Sequence, residues 1–508
     1  MSEKYYHELE EKNNLRENLS LLRSAVKDPQ EKEKILALAG DGGVLTGLLV
    51  EEEPKVRKNA ALLLGDLELA QAKEALFEAY NKEETLFVKS AYLTALRKIG
   101  APEKLAYFRA RLDELTGGSW PEQEKKHIRE QVRELEQIII ATEGIRRHTF
   151  NGFSEVHEIL LATTREQRKA TLEEVAELPA GVRRKAELHP LGVLVHTKEV
   201  FPFVRLRTYR ELLFPVHTKR AIKPGASAQA AARAVWESDL YDMLTEFHGE
   251  EAPFYFRLEL KNRLDLDERS SFAKRFATEL ESLSGRLLIN STTNYELEIR
   301  LTGTKDGGLV PFLKLATIRM RRFAYRKNAG AASIHPAAAA MLVQLAKPYL
   351  KEDAQILDPF CGVGTMLIER NIRVPAREIY GIDKFGDAIG GAWENASAAG
   401  VRISFINRDY FDFRHNYLFD EIITNMPVRG KHTKEEMDAF YGRFFEKSKS
   451  VLRRGAVVIL YSNEEGFVKK YLRLNREYRM LDEFCVREKD HFSLFVMEYR
   501  GEASCEHS

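Results

Sequence analysis

Residues 356–365, Ile356-Leu-Asp-Pro-Phe-Cys-Gly-Val-Gly-Thr365, decide the fold. An apolar strand runs into Asp358-Pro359 and then into a Gly-x-Gly turn that opens a helix, the layout of a loop that receives a nucleotide cofactor. Gly362 and Gly364 carry no Cβ, so the backbone can approach a ligand with its N–H groups pointing outward. The loop is not built for phosphates. A P-loop would end in Gly-Lys-Ser/Thr, and a dinucleotide fingerprint would carry Gly or Ala where Leu367 stands. A carboxylate at the strand tip, Asp358, suits a ligand bearing an ammonium or sulfonium group.

The chain beyond this loop repeats the theme. Glu378-Ile-Tyr-Gly-Ile-Asp383 is a second short apolar strand, ending in a carboxylate nineteen residues after Gly364. An acid at that place accepts hydrogen bonds from ribose hydroxyls, and the competing role for Asp383 is a helix cap. A third strand, 403–406, ends in Asn407-Arg-Asp409, and a fourth, 420–424, runs into Asn425-Met-Pro-Val-Arg-Gly430. Open parallel sheets bind ligands at the carboxyl ends of their strands, so these polar tips share one crevice. A helix (434–452), a strand (456–462), a helix (465–474) and two strands (480–487 and 492–499) joined by Glu488-Lys-Asp490 complete the pattern. The reading is a doubly wound sheet with a terminal hairpin over 329–500, entered through the linker 329–333 and a helix start at Ile334-His-Pro336. Residues 501–508 read as a disordered tail.

With 508 residues and 44% apolar content, the chain has room for about three domains with real cores. No run of about 18 uncharged apolar residues exists and the first residues lack a signal-peptide layout, so the expectation is a cytoplasmic protein with no membrane partner. Three scattered cysteines make neither a disulfide framework nor a metal site. The net charge is +1, but the charge is unevenly placed. Residues 201–230 hold Arg205, Arg207, Arg210, Lys219, Arg220 and Lys223 against Glu211 alone; residues 314–327 hold Lys314, Arg319, Arg321, Arg322, Arg326 and Lys327 with no acid. Aromatics are interleaved with both clusters. Such a mixture serves equally as a phosphate-and-base surface or as a solvated strand face packed by its own rings.

Residues 1–148 read as helices with an internal repeat: Val56-Arg-Lys-Asn-Ala-Ala-Leu-Leu-Leu and Val88-Lys-Ser-Ala-Tyr-Leu-Thr-Ala-Leu align at a period of 32. They resemble HEAT-type repeats, which stack apolar faces and offer either a docking surface for a protein partner or a stabilising cap. From about residue 150 strands and helices mix. Strands are expected at 156–163, 182–188, 192–197 and 204–215 and a helix at 166–177; then helices at 228–247 and 268–283 and strands at 254–260, 286–289, 295–302 and 310–316. This reads as a ferredoxin-like module, 149–225, and a second α+β module, 226–328. The fold class is multidomain α plus α/β.

At this point the chain resembles a family, the class I S-adenosylmethionine-dependent RNA methyltransferases that act on the exocyclic N2 of guanine and carry a THUMP-type RNA-binding module. The motifs are Arg322-Phe-Ala-Tyr-Arg-Lys327, Ala332-Ser-Ile-His-Pro336, Asp358-Pro-Phe-Cys-Gly-Val-Gly-Thr365, Gly381-Ile-Asp383 and Asn425-Met-Pro-Val428. The resemblance implies a seven-stranded Rossmann-like domain over 329–500 and a THUMP-like module over 226–328. S-adenosylmethionine would be held by Asp358, Phe360, Cys361, Gly362, Gly364 and Thr365, with Asp383 on the ribose, Asp409 and Tyr410 at the adenine, and Asn425 beside the methyl group. It implies catalysis by Asn425, Met426 and Pro427. RNA, tRNA ahead of rRNA, would be gripped by Arg205, Arg207, Arg210, Arg321, Arg322, Arg326, Lys327 and Arg429.

Guanine N2 is a poor nucleophile because its lone pair is delocalised into the ring. Two acceptors, the Asn425 side-chain oxygen and the Met426 carbonyl, would orient it at the methyl group, a gain by alignment and by stabilising developing positive charge. Val428 departs from the family, which usually has an aromatic there; Phe360, Tyr441 and Phe444 are the candidates to supply a stacking face. Cys361, inside the cofactor loop, does not suggest a nucleophile. Two other readings fit the same residues: an RNA-binding homologue without turnover, and a methyltransferase of protein or DNA docked through the helical repeats.

Overall fold

The computed structural model describes residues 2–144, 147–249, 253–330 and 333–501. Positions 331–332 of the expected linker and the tail beyond Gly501 lie outside them. The chain divides into two compact units, one of residues 1–147 with 290–295, the other of 148–289 with 296 onward.

The first unit is helical: α1 (Ser2–Glu10), α2 (Leu15–Ala25), α3 (Pro29–Ala39), α4 (Gly43–Gly47), α5 (Pro54–Asp66), α6 (Lys73–Lys82), α7 (Leu86–Ile99), α8 (Leu105–Gly117) and α9 (Glu122–Glu143). Helices α5 and α7 carry the two repeated segments and pack closely. A Cβ on Gly65 would lie 2.6 Å from Ala95 Cα, so only glycine permits the approach. The basic residue of each repeat turns inward. Arg57 binds Glu83 through Nε and Nη2, both at 2.8 Å, and caps the carbonyls of Glu51 and Glu52. Its counterpart Lys89 donates to Tyr80 O at 3.2 Å.

The second unit begins with β1 (His157–Ala162), α10 (Arg168–Ala176), β2 (Arg184–His189), β3 (Gly192–Thr197), α11 (Phe201–Val204), β4 (Glu211–Pro215), α12 (Ala228–Trp236), α13 (Leu240–His248), β5 (Phe254–Lys261), α14 (Leu266–Leu283), β6 (Leu288–Asn290), β7 (Leu297–Gly303) and β8 (Leu309–Leu315). These strands form one sheet in the order β2-β3-β1-β4-β8-β7-β5-β6. The expected modules 149–225 and 226–328 are therefore not separate sheets; they join where Phe214 pairs with Leu313. The strand expected over 204–215 begins only at Glu211, because the amides of Arg207 and Thr208 donate to the Glu174 carboxylate at 2.9 Å rather than to a strand. The helix expected over 228–247 breaks at Glu237–Asp239, where Ser238 Oγ accepts from Leu240 N at 3.1 Å and Asp239 accepts from His217 N at 2.8 Å.

The remainder is α15 (Pro336–Ala346), β9 (Gln355–Asp358), α16 (Thr365–Arg373), β10 (Glu378–Asp383), α17 (Gly386–Ala399), β11 (Ser404–Asn407), β12 (Phe419–Asn425), α18 (Lys434–Lys449), β13 (Leu452–Ser462), α19 (Glu465–Leu474), β14 (Tyr478–Arg487) and β15 (Phe492–Tyr499). The sheet order is β11-β10-β9-β12-β13-β15-β14, parallel through β13, with β15 antiparallel between β13 and β14. Ile356, Ile423 and Ile459 belong to the core on one face and Leu357, Ile422 and Val458 to that on the other. A sheet buried on both faces explains why these strands read as continuous apolar runs. The strand order reverses beside β9, which puts the glycine loop at the topological switch point.

Candidate active site

The loop after β9 is held by backbone bonds: Cys361 N donates to Ile382 O and Gly364 N to Cys361 O, each at 2.9 Å. Gly362 (φ 51°) and Gly364 (φ 79°) both occupy the left-handed region. Their surroundings differ. A Cβ on Gly364 would sit 3.0 Å from the Phe405 ring, whereas one on Gly362 would meet nothing within 4 Å. Gly364 serves packing; Gly362 faces the open crevice. Asp383 stands across from it, accepting from Gly362 N at 2.9 Å and from Phe385 N at 3.0 Å. Each carboxylate oxygen keeps a further lone pair for a ligand hydroxyl.

Asp358, at the end of β9, is 1% exposed. Burial pushes its carboxyl up to about 7, reinforced by Asp383 and opposed by the Thr424 hydroxyl and the Phe360 amide. A buried acid near its titration point is what a cationic ligand group would ionise. The Thr365 and Tyr410 hydroxyls are buried without a hydrogen-bond partner among the described residues, an unusual state that a ligand would relieve. Asp409 is exposed and accepts from Phe411 N at 2.9 Å, a turn carboxylate at the crevice edge. Burial, with Asp358 and Asp383 nearby, raises the Cys361 thiol well above its ordinary value, which suits packing and not nucleophilic attack.

Strand β12 lies directly beside β9, with Ile422 opposite Leu357, so its tip delivers Asn425 next to the loop. The Asn425 side chain is half-buried and makes no hydrogen bond among the described residues. The turn behind it is fixed, since Met426 N donates to Tyr461 O at 2.9 Å. Val428 is 46% exposed. Of the three rings considered in its place, Tyr441 and Phe444 are wholly buried in the core and only Phe360 is partly exposed, 5.2 Å from Phe440. Sequence reading missed another aromatic group. Tyr461 is the register partner of Asn425, stacks on Phe492 at 4.9 Å, and Arg487 lies 4.3 Å over the Phe492 ring. The hairpin of β14 and β15 brings them there, and nothing in their spacing announces it.

Residues 323–493 match the family described as RMKL-like, methyltransferase domain, and residues 43–116 match HEAT repeats. This part of the chain is a methyltransferase domain. Two curated relatives share parts of the sequence. A U6 snRNA (guanine-N(2))-methyltransferase THUMPD2 of Bos taurus is 32% identical over 28% of this chain and 27% of its own length. A tRNA (guanine(10)-N2)-dimethyltransferase of Methanothermobacter thermautotrophicus is 26% identical over 29% of this chain and 45% of its own. The chain thus spans less than half of each relative. TrmN from Thermus thermophilus, 20% identical with a TM-score of 0.50, has a similar fold covering 68% of this chain and 100% of its own.

The basic residues expected to meet RNA divide in two. Arg205, Arg210, Arg321, Lys327 and Arg429 are exposed. Arg207 is not available: its Nε and Nη2 bind Glu369, on α16 of the methyltransferase domain, at 2.7 and 2.8 Å. Tyr325 OH donates to the same carboxylate at 2.6 Å. Arg322 is likewise internal, donating to the carbonyls of Leu206, Tyr209 and Arg210 and lying 3.6 Å over the Tyr209 ring. Arg326 is partly buried, with Nη2 3.3 Å from Ile334 O. Arg207 fastens the middle segment to α16 of the methyltransferase domain, Arg322 ties residues 206–210 to the end of the same middle segment, and Arg326 holds that end to Ile334 at the entry of the domain. His335 caps α15, its Nδ1 accepting from Ala337 N at 3.1 Å. Burial and the field of Arg210, Arg326 and Arg322 keep the imidazole below its ordinary pKa, so it is an acceptor and not an acid at neutral pH. Inside the domain Arg370 and Glu421, both buried, join α16 to β12 at 2.6 Å, a pairing no sequence pattern specifies.

Proposed function

We propose that the protein is an S-adenosylmethionine-dependent RNA methyltransferase that forms N2-methylguanosine, in tRNA ahead of rRNA, in the cytoplasm. The observation that carries this reading is the placement of Asn425, with an uncommitted amide, on the strand next to the glycine loop of a methyltransferase domain. The guanine-N2 activities printed for the two partial relatives support the choice of acceptor. When bound, the cofactor supplies an electrophilic methyl group on a sulfonium.

This chain's residues do the rest. Asp358 would hold the ammonium end, Asp383 would take the ribose hydroxyls, and Tyr410 with Asp409 would serve the adenine side. Asn425 Oδ1 and the Met426 carbonyl accept the two N–H bonds of the guanine amine and point its lone pair at the methyl group. As positive charge develops on the nitrogen, both acceptors bind it more tightly, and its proton leaves to solvent without a strong base. The exposed Arg205, Arg210, Arg321, Lys327 and Arg429 would contact phosphates.

Incubation with unmodified tRNA and rRNA and labelled cofactor, followed by nucleoside analysis, should yield N2-methylguanosine. Asn425→Ala should lower turnover by about 10²–10³, the usual cost of an acceptor aimed at developing charge. Label in protein alone would remove the RNA reading.

A further inference from the structure

Asn395, on the third turn of α17, is fully buried in a domain whose interior is otherwise mostly apolar. A buried amide is destabilising unless all its hydrogen-bonding capacity is used. Here it is. Oδ1 accepts from Lys327 N at 2.8 Å and Asn328 N at 2.9 Å; Nδ2 donates to Asn328 O and to Val363 O, both at 3.0 Å. One side chain therefore joins the segment that leads from the middle module into the methyltransferase domain to the central residue of the glycine loop. The same helix grips the segment twice more. Asn328 Nδ2 donates to Glu394 Oε2 at 2.6 Å, and a Cβ on Gly391 would lie 2.9 Å from Asn328 Cβ.

The loop's other restraints are the backbone bonds from Cys361 N to Ile382 O and from Gly364 N to Cys361 O, and the Gly362 amide on Asp383. Gly362, next to Val363, combines the conformational freedom of glycine with open space beside it, whereas Gly364 is packed against Phe405. Within the Gly-Val-Gly turn the Val363 carbonyl is held by the Asn395 side chain from α17, and the Gly362 amide by the Asp383 side chain at the end of β10.

We propose that Asn395 is a positioning residue for the cofactor: it sets the shape of the glycine loop through the segment Lys327–Asn328, so cofactor affinity depends on how that segment is seated. This rests on the reading of the loop as the S-adenosylmethionine site. Neither Asn395 nor Asn328 is placed in contact with the cofactor.

The test uses the full chain. Calorimetry of the parent with S-adenosylmethionine comes first; failure to bind there refutes the cofactor reading and is seen before any variant is made. Hydrogen exchange at the amides of 362–364 in the cofactor-free protein tests the mechanical tie independently. Asn395→Leu, similar in volume but unable to hydrogen-bond, should weaken cofactor binding about tenfold or more and speed exchange at those amides. Asn395→Asp keeps the two accepted bonds and should fall between parent and Leu. Asn328→Ala, which leaves the loop untouched, should weaken binding severalfold with an unchanged unfolding midpoint. A folded Asn395→Leu with parental affinity and parental exchange overturns the proposal. If that variant does not fold, parental affinity in both Asn395→Asp and Asn328→Ala overturns it instead.

Discussion

Replacing Arg207 with methionine separates two roles that one side chain cannot play at once. Glu369 is 0% exposed, and its carboxylate receives the Arg207 guanidinium at 2.7 and 2.8 Å and the Tyr325 hydroxyl at 2.6 Å. Burial opposes the charge on Arg207, but Glu369 outweighs it and holds the guanidinium above its ordinary pKa. Removing Arg207 leaves a buried anion with one neutral donor. Breaking a buried pair from one side costs roughly 3–5 kcal/mol, and the 17% exposure of Arg207 argues for the lower end, about 3 kcal/mol. Adding Glu369→Gln removes the orphaned charge while still accepting from Tyr325, and should restore about half of that or more.

Unfolding of so large a chain is not expected to be two-state, so the quantity to measure is the local opening free energy of α16 by native-state hydrogen exchange. In parallel, the salt dependence of tRNA binding should be unchanged by Arg207→Met, whereas loss of a phosphate contact lowers the slope by about 1. Arg210→Ala, at an exposed position, should show that lowered slope. Opening energies within about 0.5 kcal/mol of the parent, the range of an ordinary surface substitution, together with a reduced salt slope for Arg207→Met, would refute the internal assignment.

The Asp358 carboxyl, raised by burial to about 7, favours its protonated form below that pH in the cofactor-free protein. The cofactor-free fold gains most from it below about 4 and loses that gain as pH rises through about 7. An ammonium-bearing ligand binds the ionised form, so cofactor affinity should rise about tenfold per unit from pH 5.5 to 7 and then level off. Calorimetry in buffers of different ionisation enthalpy checks the coupled proton release, and a flat profile contradicts it. Val428→Phe has room at its 46% exposed position and restores an aromatic to the catalytic turn. Stacking is worth about 1–3 kcal/mol per base, so kcat/KM on tRNA should rise at least fivefold; an unchanged or lower value would mean that a ring such as Phe360 already fills that role.

What the sequence determined by itself was whatever depends on near neighbours in the chain. Apolar runs, Gly362 and Gly364 and the carboxylates at strand ends mark the strands of the second sheet and the polar tips beside its glycine loop, because strand burial and turn geometry act over a few residues; the strand order that makes this a switch point is seen only in the fold. The 32-residue repeat was legible for the same reason. Tertiary structure decided the fate of charged residues. Arg205, Arg207 and Arg210 belong to one six-residue stretch, yet of these three only Arg207 meets a buried acid, 162 residues away. The stretch reads as a strand but becomes a loop because Glu174 takes its amides. Likewise Asn395 reads as one more polar residue of a helix until Lys327, Asn328 and Val363 close around it. Local patterns set which elements form. Whether a polar side chain faces water or a partner depends on which distant segment folding brings against it, and that is not encoded in the spacing of its own neighbours.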